Sequence, residues 1–220
     1  MNLPGHYTFE DLSNRGAHVS NQVTTTIAID LENRNRATVF WRGIIVMPVL
    51  IFVTSFTPNA FSDDSVAAMG ATGFLILPTI LAILFRGIYP SYVLSFNHAV
   101  IELETRLFGY ILLLNDDYPS IERNPRVAVL FPDVEGGAKL NRGLPLVKWF
   151  LAIPLYIVGL FYLVLMIIAT VLAWAITSLT GRYPEWAAEI VLGTLSYWNR
   201  VQGYAWLLVT DEYPTFSLKG

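Results

Sequence analysis

The sequence contains no cysteine. That absence removes disulfide frameworks, thiolate nucleophiles, cysteine-ligated zinc, iron–sulfur centres and c-type haem attachment. Charge is scarce as well, at 14% of residues against roughly 25% in an ordinary soluble domain. The 14 Lys and Arg nearly balance 17 Asp and Glu, for a formal charge of −3. No polyanion-binding field follows from that balance, so a dedicated nucleic-acid binder is excluded. What the chain has in quantity is apolar surface: 54% of its 220 residues are apolar, and the mean hydropathy is +0.50. Length allows one or two domains, and composition points to a membrane.

The apolar residues fall into runs. Met1 to Gln22 is polar, with no basic segment leading into an apolar one, so no cleaved signal peptide is expected. Phe40 to Phe56 and Val66 to Phe85 are each about long enough to cross a hydrocarbon core of roughly 30 Å. A polar turn carrying Asp63 and Asp64 joins them, which predicts a transmembrane hairpin. A third run, Trp149 to Leu179, carries no charge. As one helix it would be about 46 Å long, too long for one upright pass and too short for two. A strongly tilted helix, a helix kinked at Pro154 and a shallow re-entrant hairpin all satisfy it. Lys and Arg gather before the first run, after the second and through the connection to the third, which predicts a cytoplasmic N-terminus.

Tyr-Pro occurs four times, at Tyr89, Tyr118, Tyr183 and Tyr213, where composition alone predicts fewer than one. Asn35-Arg36, Arg42 and Pro48 recur as Asn141-Arg142, Lys148 and Pro154 at an offset of 106. Gly87, Tyr89-Pro90, Arg106 and Gly109-Tyr110 recur as Gly181, Tyr183-Pro184, Arg200 and Gly203-Tyr204 at 94, and Asp116 recurs as Asp211 at 95. This pattern predicts an internal duplication. Each copy reads as an apolar hairpin or long helix, a Tyr-Pro turn, and a second helix closed by Asp-x-Tyr-Pro. Tyr89, Tyr118, Tyr183 and Tyr213 are read as interface anchors, with apolar rings and water-seeking hydroxyls.

After each leading Tyr-Pro, polar residues recur at helical spacing. His98, Glu102 and Arg106 lie on one face of the first such helix; Glu189, Asn199 and Arg200 mark the second. A narrow polar stripe on a broad apolar helix fits the headgroup plane, and both helices are expected to be interfacial. Thr24 to Leu31 and Arg126 to Phe131 are strand-like and can pair into a small cytoplasmic sheet. The expected fold is therefore an α-helical integral membrane protein of two tandem repeats with short cytoplasmic strands. Its segments are a polar N-terminus (1–34), repeat one (35–121), a connection (122–140) and repeat two (141–217).

No catalytic constellation assembles. There is no Gly-x-Ser-x-Gly elbow, no His-Glu-x-x-His pair and no phosphate-binding glycine loop. His98 and Glu102 stand one turn apart without a third ligand, and Glu102 with Arg106 forms an ordinary i,i+4 ion pair. No catalytic residue, metal or cofactor is assigned. Arg36, Arg42, Arg142 and Lys148 recur just before apolar helices, where they set topology or bind anionic headgroups at about 1 kcal/mol each.

Leu179-Thr180-Gly181-Arg182-Tyr183-Pro184-Glu185, then Tyr197 to Tyr204 and Asp211-Glu212-Tyr213-Pro214-Thr215-Phe216-Ser217, resembles a prokaryotic membrane-protein family, domain-of-unknown-function family 4389. Trp149 to Pro154 resembles the start of its motif, where family members commonly have histidine after the proline; Leu155 stands there here. The resemblance covers about 141–217, with 35–121 as a degenerate second copy. It implies placement in a membrane and no activity. The expected function is a non-catalytic accessory or scaffold subunit of the bacterial inner membrane. Its expected partners are lipids and other integral membrane proteins, with no nucleic acid. The alternative is a small two-repeat transporter or lipid-handling protein.

Overall fold

The computed structural model describes residues 21–55, 75–120, 122 and 126–218. The Asp63-Asp64 turn, half of the second apolar run, His6 and His18 lie outside the described residues.

The chain is mostly helical. Strand β1 (Thr24–Ile27) is followed by α1 (Arg36–Ile45), α2 (Met47–Ser55), α3 (Ile76–Arg86) and α4 (Ser91–Ile111). Strand β2 (Val127–Leu130) precedes α5 (Lys148–Leu151), α6 (Ile153–Thr180) and α7 (Glu185–Ala205). The strands pair antiparallel, Thr24 opposite Leu130 and Ile27 opposite Val127.

Residue chemistry sets most boundaries. The Asn35 side chain accepts from the amides of Ala37 and Thr38 and so caps α1, satisfying donors that the first turn leaves free. A break at Val46 precedes Pro48, and one at Ala152 precedes Pro154. Proline lacks the amide hydrogen and tolerates only the first helical turn, so each helix restarts around it. Gly87 and Gly181 close α3 and α6 with φ of 63° and 74°, a left-handed conformation that glycine adopts without a Cβ clash. Pro90 and Pro184 then start α4 and α7, each 21 residues long. Both helices end with a leucine at positive φ, Leu113 (69°) and Leu208 (58°). Full burial of both leucine side chains, at about 1.5–3 kcal/mol each, outweighs a left-handed penalty of roughly 1–2 kcal/mol.

Strand β2 packs on α4 and β1 on α7. The two helices meet where Asn199 donates to Thr105 Oγ1 (3.1 Å) and to Thr25 Oγ1 of the sheet (2.8 Å). Helix α6 runs antiparallel along α7: Ala152 and Leu155 cluster with Tyr197 and Tyr204, and Met166 and Ala173 with Val191 and Ala187. Trp198 lies so close to Gly159 that a Cβ there would come within 2.8 Å of the indole. Across the molecule, α1–α2 packs on α4 through Val46, Leu107 and Tyr110. Residues 153–179 thus lie in one long helix begun at its proline, after the short α5 and the break at Ala152, rather than in a re-entrant hairpin.

Two segments, Arg36–Val53 and Ile153–Thr180, are long and apolar enough to cross a membrane, and only 22% of each is buried. Uncovered positions in and beside these segments correspond. Phe40, Trp41 and Ile44 are exposed, as are Leu146, Val147 and Phe150 at an offset of 106. Met47 and Ile153 are 49% and 50% exposed; Phe85 and Leu179, 94 apart, are 74% and 77% exposed.

Candidate functional site

The basic residues that precede the apolar helices divide into two kinds. Arg42 and Lys148 turn inward. Arg42 donates to the carbonyls of Tyr110 (2.7 Å) and Asn115 (2.9 Å) and to the Asp116 carboxylate. Its guanidinium lies 4.3 Å from the Tyr110 ring centroid, and Tyr118 meets that ring edge-on at 5.8 Å. Lys148 donates to the carbonyl of Thr210 (2.7 Å), lies 2.7 Å from Asp211 Oδ1 and sits 5.1 Å from the Tyr204 centroid. Tyr213 meets Tyr204 at 5.6 Å, at the same interplanar angle of 71°. Each cation is held by a carbonyl, a carboxylate and an aromatic face, which replace the water that burial removes. Burial pushes the Lys148 ammonium below its ordinary pKa, and Asp211 opposes the shift. Arg34 also reaches Asp116 (2.8 Å), and its guanidinium is likewise pushed down by burial. These groups are committed within the protein.

Arg36 and Arg142 remain exposed, and each rests on the opposite half of the chain. Arg36 donates to the carbonyl of Thr180 (3.2 Å) beside Gly181. Arg142 lies over Gly87, where a Cβ would come within 2.5 Å of its Nε. The buried tyrosines cross over too. Tyr89 donates to the carbonyl of Leu207 (2.7 Å), and Tyr183 to that of Leu112 (3.1 Å). Burial pushes the Tyr89 phenol up to about 12 and raises that of Tyr183 as well. Tyr118 and Tyr213 are the exposed pair. The structure therefore gives Tyr89 and Tyr183 a protein carbonyl where water or a headgroup was expected.

The polar stripe is turned largely inward. Arg106 donates to the carbonyl of Glu122 and Arg200 to that of Ser217, positions 95 apart. Glu102 and Asn199 are buried, while Glu189 is exposed. His98 Nε2 lies 2.7 Å from the Val129 carbonyl, so that nitrogen carries the hydrogen, and 3.8 Å from Glu102 Oε1. Beside them a cavity of ≈ 240 Å³ is lined by Phe52, Val53, His98, Glu102, Glu104 and Arg106 among others. Burial pushes the Glu104 carboxyl up to about 7. The second half has Leu192, Ser196 and Trp198 at the positions of His98, Glu102 and Glu104. Among the described residues no group of three or more His, Asp or Glu could hold a metal ion.

Sequence reading missed Asp116, Asp211, Tyr110 and Tyr204 as partners of the basic residues, although each recurs in the two halves. The carbonyl acceptors leave no mark in side-chain identity.

A mostly helical protein with two apolar helices long enough for a membrane is the class these features define. Within it, residues 145–217 match the family described as domain of unknown function (DUF4389). That match spans the chain from just before α5 through α6 and α7 to the Asp-x-Tyr-Pro tail. No curated protein and no solved structure matches the chain.

Proposed function

We propose that the chain is a non-catalytic, lipid-associated accessory or scaffold protein of the bacterial inner membrane, built from two repeats, with its N-terminus in the cytoplasm. One observation carries the reading. Equivalent positions of the two halves leave equivalent apolar side chains uncovered, along helices that carry no exposed charge between Phe40 and Val53 or between Ile153 and Thr180. Soluble proteins rarely expose apolar patches beyond a few hundred Å², and acyl chains or apolar helices of a partner are what such faces fit. The repeats find support in paired contacts. The Arg42 and Lys148 cages, the crossed tyrosine bonds, and Arg36 on Gly181 with Arg142 on Gly87 each exchange when the halves are exchanged. Thr105 and Asn199, equivalent positions, touch each other, as equivalents on a twofold axis must.

Extraction in a gentle detergent followed by native mass spectrometry tests the reading. Retained anionic lipid or a co-purifying membrane protein is the expected result; a lipid-free monomer overturns it.

The cavity beside His98, Glu102 and Glu104 favours a second reading, in which the protein handles a polar solute or lipid headgroup. A flux assay in liposomes that is unchanged by Glu102→Gln counts against it.

A further inference from the structure

Helix α6 begins and ends at places that the repeat relation ties together. Just ahead of its start, in α5 and the turn before it, Lys148 and the Asn141 amide both reach Asp211, close to Arg142 on Gly87. At its end, Thr180 and Gly181 meet Arg36 and the Arg34 amide. A twofold rotation exchanges Arg36 with Arg142 and Gly181 with Gly87, and rotation leaves height along its axis unchanged. The two ends of α6 therefore stand at nearly one height. A helix of 28 residues, about 42 Å long, must then run across the axis and not along it.

The axis passes through the sheet, because β1 and β2 are exchanged in their antiparallel pairing. Laid in the membrane plane, this axis would make α6 cross. It would also set a two-stranded ribbon with two outer edges at mid-depth, next to the ion pairs of Arg126 with Asp30 and Asp117. Backbone groups without partners and charges at that depth cost several kcal/mol each. Set along the membrane normal, the axis puts the sheet in water and presents the uncovered faces of α6 and of the described helices α1 and α3 to the same leaflet. The exposed Arg36, Arg86, Arg142 and Arg182 then ring these faces at headgroup level, where each gains about 1 kcal/mol from anionic lipid.

We infer that the protein is seated in one leaflet of an anionic bilayer, with α6 parallel to the membrane surface and not crossing it. This rests on the membrane and repeat readings above.

The chain has no native cysteine, so single cysteines report cleanly. Gly143→Cys and Arg182→Cys mark the two ends of α6 in the full-length protein. Right-side-out and inside-out inner-membrane vesicles are treated with a membrane-impermeant maleimide. Both positions should react from the cytoplasmic face and neither from the other. Reaction from opposite faces overturns the one-leaflet seating while the membrane reading stands. Loss of the protein on carbonate washing, with failure to float with the vesicles, overturns both. Lys139→Cys and Glu185→Cys, exposed at the same two ends, give the same readout should the first pair fail to fold.

Discussion

The Arg42 and Lys148 cages differ in one respect. Arg42 spreads its donors over two carbonyls and a carboxylate that it shares with Arg34, whereas Lys148 offers a single ammonium to one carbonyl and one carboxylate. The guanidinium is a planar fork and the ammonium a point charge. One framework therefore accepts either cation, provided that the aspartate, the carbonyl and the tyrosine ring stay in place. The lesson is that the aspartate holds the site and the identity of the cation is secondary.

Removing the aspartate should break the comparison most severely. Asp116→Ala and Asp211→Ala each leave a buried cation without its counter-charge, a loss of about 3–5 kcal/mol for a buried pair. Asp116→Ala should cost more, because two guanidiniums lose one carboxylate. Equilibrium unfolding in detergent micelles measures both, and a silent substitution in either half would end the equivalence.

Next in size are the helix-closing glycines. Gly181→Ala should cost about 1–2 kcal/mol for a side chain in the left-handed region. Gly87→Ala should cost about the same, since the Arg142 guanidinium 2.5 Å from its Cβ is the free end of an exposed side chain that can swing aside. A cost confined to one of the two in the same unfolding experiment would contradict their shared role as left-handed caps.

Tyr89→Phe and Tyr183→Phe each delete a hydroxyl bonded to a carbonyl of the other half. About 1 kcal/mol apiece is expected, nearly equal in the two halves.

A pH-dependent effect, separate from these substitutions, sharpens the asymmetry. Glu104 has its carboxyl pushed up to about 7 from an ordinary 4.5, where Trp198 stands in the second half. A raised folded-state pKa contributes stability that is fully present below pH 4.5 and lost as pH rises through about 7. Stability measured across that window should fall in the wild type and stay flatter in Glu104→Gln. Identical profiles would remove the effect.

How much of this was legible depended on what each residue does alone. Pro48, Pro154, Gly87 and Gly181 act through their own backbone, so helix breaks and caps follow from identity and position. The recurrence of Tyr-Pro and Asp-x-Tyr-Pro was equally visible. The direction of the polar stripe was not. His98, Glu102 and Arg106 have the same spacing whether they face headgroups or the carbonyls of Val129 and Glu122, because periodicity defines a face and not what lies opposite. Leu113 and Leu208 at positive φ carried no signal, since leucine there is retained by burial. The partners of Tyr89 and Tyr183 lie in the other half and are backbone atoms. The apolar run 149–179 had a legible length, yet length alone left a tilted helix, a kinked helix and a re-entrant hairpin open. On the repeat reading, the contacts near its two ends make it a helix that runs across the axis.

Depth along α6 tests the central claim most directly. Single nitroxides at Ile157, Val164 and Val171, all on the exposed face, span about 21 Å of helix. Measured in vesicles of phosphatidylglycerol and phosphatidylethanolamine, all three should report one depth beneath the headgroups. A steady change from shallow to deep along the series would mean that α6 crosses the bilayer, and the one-leaflet account would be wrong.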